Sequence, residues 1–257
     1  MKISVMPYKR SSKSARSVFR EMKKLTSTQV KYAWRKCKVV VNWGSSSFEP
    51  RPYQIILNPP SRLEATINKL KFFNKCQEFD IPIPKFTSSF EEATENHANF
   101  SNGTVERHLL TSSKGRGVEI VKKSESISAN AKMWVERIRQ RREFRFIVVG
   151  DEVVISMVKK RPRGITPQPI QNEGSGYKYF LTRENEECLY PLEEGFEIAV
   201  KAVQSFGLDF GGVDIIWDKV NQKWLVLEIN TAFGLGESNG EVVSKQLLIL
   251  ILSKLGV

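Results

Sequence analysis

Asp214, Glu228 and Asn230 fall within residues 207–237, GLDFGGVDIIWDKVNQKWLVLEINTAFGLGE, and could together hold a hard divalent cation. Two apolar runs, 210–217 and 223–229, flank the polar segment 218–222, a pattern that predicts a β-hairpin with a short loop. Folding this hairpin about Asn221 places Asp214 opposite Glu228 and Ile216 opposite Val226. Side chains alternate faces along a strand, so Glu228 and Asn230 share a face and Asp214 joins them from across the ladder. Facing carboxylates repel and require a compensating cation. Oxygen ligands of this kind suit Mg²⁺, which commonly sits beside nucleotide phosphates. Val213, Ile215, Leu227 and Ile229 flank the acids and weigh against the plainer reading, two solvated strand residues.

Composition narrows the chemistry. His97 and His108 are the only histidines, and Cys37, Cys76 and Cys188 are scattered without CxxC spacing. Ser/His/Asp triads, His-rich metal sites, zinc sites and disulfide frameworks are therefore disfavoured, and a reducing compartment is favoured. The balance of 40 Lys+Arg against 28 Asp+Glu gives +12, more positive charge than nucleotide phosphates alone require. Such a field favours polyanions or acidic substrates. An apolar signal core is missing at the N-terminus, and the longest apolar run, 247–252, is too short to span a bilayer. A cytoplasmic protein without a membrane partner is expected. At 257 residues the chain can form one large domain or two or three lobes.

The elements that must position these residues can be read in order. Residues 2–8 and 38–42 read as strands around an amphipathic helix at 14–25, which predicts a small parallel α/β lobe. Ser12, Ser14 and Arg16 after the first strand, and Asn42, Gly44 and Ser45 after the second, are either ligand contacts or a helix cap and a glycine turn. Asn58-Pro59-Pro60 breaks the chain, a helix is predicted over 63–79, and Ile81-Pro82-Ile83-Pro84 launches an extended segment. Strands at 105–110 and 118–122 bracket a Ser/Gly-rich loop, whose free backbone N–H groups suit phosphate although a plain hairpin would look similar. It is not a Walker motif. Strands follow at 133–138, 144–149 and 153–159, the last two joined by Gly150-Asp151. Residues 163–177 read as a mobile lid, rich in Gly and without an apolar pattern. A helix over 193–206, ended by Gly207, precedes the hairpin, and an apolar helix over 242–255 implies a packed core position.

Helix, hairpin, Asp214 and the run Leu227-Glu228-Ile229-Asn230-Thr231 resemble the C-terminal signature of ATP-grasp carboxylate–amine ligases. The texture VNWGSSS, NPP…NKL, IPIP, GRGV, EFRFIVVG and QNEGSGY is similar to small, largely phage- and bacterium-encoded members of that superfamily. The resemblance implies an ATP-grasp fold of α+β lobes behind a small N-terminal parallel α/β lobe. It divides the chain into a substrate-side lobe over 1–62, a small lobe with the phosphate loop over 63–135, and a large lobe with the metal site over 136–257. It implies ATP and one or two Mg²⁺ (or Mn²⁺) as cofactors, with Asp214, Glu228 and Asn230 as metal ligands. Lys69 matches the first phosphate-binding lysine, and Ser112, Ser113, Gly115 and Gly117 match the flexible loop over the phosphates. Glu136, Arg137 and Ile138 match the hinge that reads adenine partly through backbone, Glu143 the ribose-binding acid, and Asn172 lies in the large loop. Arg145, two residues after Glu143, faces the same way along its strand.

Two positions depart from the family pattern. Arg107 stands where the second phosphate lysine is expected; it keeps the charge but forks onto oxygens differently. Gly212 stands where some relatives carry a substrate-orienting arginine, a role left to Arg161 or Arg163. The implied reaction is ADP-forming ligation of a carboxylate to an amine through an acyl phosphate, with Arg145 neutralising developing charge. The alternatives are a phosphotransferase on the same scaffold and a non-catalytic basic RNA- or protein-binding relative. The charge excess, concentrated in 9–38 and 137–163, adds an acidic peptide or nucleic acid as a possible larger partner.

Overall fold

Short β-branched runs and an amphipathic helix build the N-terminal layer: β1 (Lys2–Pro7), α1 (Lys13–Leu25), β2 (Gln29–Lys31), β3 (Val39–Trp43) and β4 (Ile55–Leu57). In this computed structural model, which describes residues 1–32, 34–112, 115–166, 168, 173–183, 189–235 and 239–256, they form an all-parallel sheet of order β2-β1-β3-β4. Every residue of β3 is buried, as the apolar run Val39-Val40-Val41 requires of a strand covered on both faces. The sequence reading found β1, α1 and β3; β2 and β4, of three residues each, are too short to leave a periodic signal.

The second layer holds α2 (Pro60–Ile67), α3 (Lys69–Glu78), β5 (Phe86–Thr87), α4 (Phe90–Asn99), β6 (Thr104–Arg107), β7 (Val118–Val121) and β8 (Met133–Glu136). Its sheet has the order β5-β8-β6-β7 and is antiparallel. The single helix expected over 63–79 is in fact two. Asn68 is extended at φ −88° and ψ 117°, ends α2 and caps α3 by accepting from the Lys71 N–H at 3.1 Å. Phe72, Phe73 and Cys76 of α3 are buried, whereas Ile67 and Phe79 of the expected apolar stripe are exposed. The segment after the IPIP run, expected to be extended, also carries α4, capped by Ser89.

The central sheet comprises β9 (Arg141–Val149), β10 (Glu152–Lys160), β11 (Lys178–Leu181), β12 (Phe210–Asp218) and β13 (Lys223–Asn230), in the order β11-β10-β9-β12-β13. All its pairs are antiparallel. Alternation along β9 divides the core in two. Phe144, Phe146 and Val148 pack with α3 and α5 (Leu192–Ser205), while Ile147 and Val149 pack with the N-terminal sheet, α1 and α6 (Asn239–Leu255). On the first side Trp224 stands against Phe144, Phe146 and Trp217 with ring centroids 5.2–5.8 Å apart. Each such fully buried ring contributes about 1.5–3 kcal/mol by burial. Helix α6 is not wholly core: Val243, Leu247 and Ile251 are buried, but Val242, Ile249 and Leu252 face solvent. Among the described residues, no helix is long and apolar enough to cross a membrane.

The hairpin β12–β13 forms as expected, with one correction to its register. Asp214 does lie opposite Glu228, but Ile216 pairs with Leu225, not with Val226. A β-bulge lies between these pairs, and Leu227 is the extra residue. Simple alternation would have turned Val226 and Glu228 to the same face. With the bulge, Val226 and Ile229 both enter the core and Glu228 faces the other side.

Candidate active site

On the face of the central sheet that carries Ile147, Val149 and Met157 into the core, one end is charged. Asp214, at the middle of β12, sits between Arg145 on β9 and Glu228 on β13 in the strand registers. Arg145 grips it with two bonds, Nε to Oδ1 at 2.6 Å and Nη2 to Oδ2 at 2.8 Å. This forked geometry matches the carboxylate and is the stronger form of the pair. Asn230 donates its amide N–H to Glu228 Oε1 at 2.8 Å and to Asp214 Oδ2 at 3.4 Å. Lys69 donates to the other oxygen of Glu228. Burial pushes the Asp214 carboxyl up to about 6 against the pull of Arg145, with the charge of Glu228 adding to the rise. Burial acts the same way on Glu228, but Lys69 and Asn230 outweigh it and hold that carboxyl well below the usual range. Of the two facing acids, Asp214 is the one that takes up a proton first.

Lys69 ties three parts together. It is the first residue of α3, its side chain is 7% exposed, and its backbone N–H donates to the Leu110 carbonyl at 2.9 Å. The break at Asn68 therefore sets the lysine against both the hairpin and the loop after β6. In that loop the His108 N–H donates to the Gly117 carbonyl at 2.8 Å, and Ser112 Oγ donates to the Arg116 carbonyl at 2.7 Å. Gly115 and Gly117 have φ of 73° and 66°, the left-handed region that glycine adopts freely. Ser113 lies outside the described residues, as does Asn172.

Beside the carboxylates stands a second cluster that the sequence reading only half anticipated. Glu143 and Arg145 do face the same way, and both meet Tyr179: the Arg145 guanidinium lies 4.1 Å from the ring centroid, and the Tyr179 hydroxyl donates to Glu143 at 3.1 Å. Lys159, opposite Tyr179 in the β10–β11 register, pairs with Glu143. Tyr179 was missed because its strand, β11, follows a long segment without apolar periodicity, and Lys159, on a strand that was read, had no visible partner without it. Burial and the surrounding carboxylates raise the Tyr179 hydroxyl far above its ordinary value, so it stays protonated as a donor.

Residues 90–251 match the RimK-like ATP-grasp domain, more than half of the chain. The chain belongs to the RimK-like ATP-grasp family. A probable alpha-L-glutamate ligase of Citrobacter koseri is 27% identical over 170 residues, covering 62% of this chain and 53% of that protein. The chain thus spans about half the length of the curated relatives it matches. Among solved structures, the ATP-grasp ligase PsnB with a minimal precursor, Mg and ADP superposes with a TM-score of 0.66 at 11% identity, covering 96% of both chains. The same ligase is known with precursor peptide PsnA2 and AMPPNP. D-alanyl-alanine synthetase A of Vibrio cholerae gives a TM-score of 0.66 at 11% identity, covering 100% of this chain and 99% of that one. The fold is the ATP-grasp fold, with its parallel N-terminal sheet and two antiparallel sheets.

Within this ATP-grasp frame the remaining expected residues separate. Arg107 ends β6; its Nε is shut off from solvent without a hydrogen-bond partner among the described residues, and it feels the charge of Glu228. Burial lowers its pKa, the mark of a cation short of compensating anions. At the other end of the same sheet, the Glu136 and Arg137 N–H groups donate to the Lys85 and Gly103 carbonyls, and the Ile138 carbonyl accepts from Arg141. Burial, then Arg139 and Arg141, push the Arg137 guanidinium down. Arg161 and Arg163 follow β10 and are exposed, and among the described residues no contact joins them to the carboxylates.

The space at Gly212 is filled from the other side. A Cβ there would meet Phe233 Cβ at 2.8 Å and Cγ at 3.0 Å, so the position has no room for an arginine. Phe233 in turn packs tilted against Trp43 and edge-on to Phe210. The N-terminal serines and Asn42 have structural partners. Ser12 caps α1, Ser14 Oγ accepts from Trp43 Nε1 at 3.0 Å, and Asn42 bonds Ser45 and Asn58 backbone groups.

Proposed function

We propose that this chain is an ATP- and Mg²⁺-dependent, ADP-forming ligase that joins a carboxylate to an amine through an acyl phosphate. One observation carries the reading: Asp214 and Glu228 converge on Asn230, whose amide reaches both, and are ringed by Lys69 and Arg145. The donor set fits Mg²⁺, since two carboxylates and an amide offer only hard oxygens. Asn230 would turn its amide oxygen to the ion, in place of the N–H groups that now bridge the acids. Bound there, Mg²⁺ would neutralise phosphate charge.

The chain's own residues supply the rest. Lys69 and Arg107 flank Glu228 and present cations to phosphate oxygens; Arg107 already lacks a partner for its Nε among the described residues. Arg145, released in part from Asp214, steadies charge on the transferring phosphoryl group and on the tetrahedral centre. Glu143 and Tyr179 form a part-buried acceptor–donor pair suited to a ribose hydroxyl. The backbone of Glu136, Arg137 and Ile138 borders adenine, and the glycine loop covers the phosphates. No side-chain nucleophile is required, in keeping with a site built of carboxylates, cations and one tyrosine.

The substrate class follows from charge and likeness. Lys13, Arg16, Arg20, Lys23 and Lys24 are all exposed on α1, and a net +12 suits an acidic peptide. The likeness to a ligase known with a precursor peptide supports a peptide-borne carboxylate or amine.

The test is ADP release from the purified chain with Mg-ATP against pools of amino acids, polyamines and acidic peptides, with mass spectrometry of products. ADP release that needs both a carboxylate and an amine, with a new amide in the product, is expected. Release with a phosphorylated product and no amine requirement would make it a phosphotransferase. ATP binding lost with polyanion binding retained would make it a binding protein.

A further inference from the structure

The β6–β7 pair that carries the glycine loop has two different faces. Arg107 points from one towards the field of Glu228; its neighbours Glu106 and His108 project from the other, since side chains alternate. Glu119 lies directly opposite Glu106 in the register. His108 Nε2 is 3.5 Å from Glu106 Oε2 and 3.7 Å from Glu119 Oε2, and the three donor atoms lie within 4.8 Å of one another.

This cluster is under-compensated as it stands. Carboxylates directly opposite one another repel, and Glu106 is only 1% exposed, so its charge is costly without a cation. Its Oε1 accepts from the Ser128 N–H, but among the described residues neither acid pairs with a lysine or arginine. His108 Nε2 is closed to solvent and makes no hydrogen bond among the described residues; the two carboxylate oxygens stand at ion-pair distance without hydrogen-bond geometry. A buried imidazole nitrogen without a hydrogen-bond partner, aimed between two carboxylate oxygens, is the donor pattern of a metal site. Bonds of about 2.0–2.2 Å in a tetrahedron put ligand atoms roughly 3.3–3.6 Å apart. The two histidine–carboxylate separations match that spacing to within a few tenths of an ångström.

We propose that Glu106, His108 and Glu119 bind a divalent transition-metal cation of the zinc class on the back of the phosphate-loop hairpin. One imidazole and two carboxylates give three ligands, and water completes the fourth position. Such an ion ties β6 to β7 at the root of the loop and, through Glu106, to the connection at Ser128. It is separate from the Asp214–Glu228–Asn230 set, which faces Arg107 from the opposite side and has no imidazole.

The test is Zn²⁺ uptake by the full chain, stripped with chelator and titrated at neutral pH with Zn²⁺ alone, in wild type and in Glu228→Gln. A Zn²⁺ that depends on His108 is expected in both, because Glu228 is not one of its ligands. His108→Gln and Glu119→Gln should each weaken uptake at least ~10-fold. Glu119 is 69% exposed on an edge strand, so its variant keeps the fold even if Glu106→Gln does not. No uptake, or equal uptake in wild type, His108→Gln and Glu119→Gln, would overturn the site and leave an imidazole lodged between two acids.

Discussion

The ammonium of Lys69, the first residue of α3, is bonded to the carboxylate of Glu228 on β13, 159 positions away. Without nucleotide, the proposed phosphate-binding cation and the proposed metal ligand neutralise one another, which holds both charges in place. Lys69→Met should lower nucleotide affinity by at least ~10-fold, the equivalent of about 1.4 kcal/mol. Glu228 is one-third exposed, so the loss of stability should be modest, about 1–2 kcal/mol. Calorimetric titration with ATP analogues and thermal unfolding separate the two effects; unchanged affinity would remove Lys69 from the site.

Arg145 and Asp214 form a buried ion pair, at 12% and 6% side-chain exposure. Arg145→Ala leaves the acid uncompensated and should cost about 3–5 kcal/mol. Asp214→Asn should abolish Mg²⁺-dependent turnover while leaving the fold. The acid also sets a pH response. Its pKa rises on folding to about 6, so its contribution to stability is present in full below about pH 4 and is lost as pH rises through 6. Denaturation midpoints measured without nucleotide should show that fall in wild type and a flatter profile in Asp214→Asn.

Arg107 is expected to contact phosphate. Arg107→Lys should keep part of the activity, since it retains charge at the end of β6, whereas Arg107→Ala should lose most nucleotide affinity. Equal ATP affinity in wild type and the alanine variant would defeat the assignment.

Gly212 is expected to resist even one methyl. Phe233 blocks the Cβ position, and Gly212→Ala should destabilise by about 1–3 kcal/mol through overpacking. A midpoint equal to wild type in urea unfolding would show that Phe233 can step aside.

Much of this arrangement was readable in the chain itself. Apolar periodicity marked β1, α1, β3, α5 and both arms of the hairpin, because burial of one face writes itself into spacing. Alternation correctly put Glu143 and Arg145 on one face of β9, as their shared contact with Tyr179 shows. The pairing of Asp214 with Glu228 was also legible from the symmetry of the two apolar runs about their loop.

Other features depended on contacts between distant parts. The bulge at Leu227 turns Glu228 out of the core. Without it Glu228 would follow Val226 inward, and nothing in an apolar run marks where a ladder gains a residue. The break at Asn68 leaves local helical spacing intact, yet it is this break that aims Lys69 at the hairpin. Gly212 looked like a vacancy and is filled by Phe233, which only the packing of Trp43 and Phe210 could fix. What the sequence determined by itself was which residues lie on a face, since that follows from backbone period. Which faces meet, and which charges therefore answer one another, was decided by tertiary packing, because those distances are set by side chains far apart in the chain.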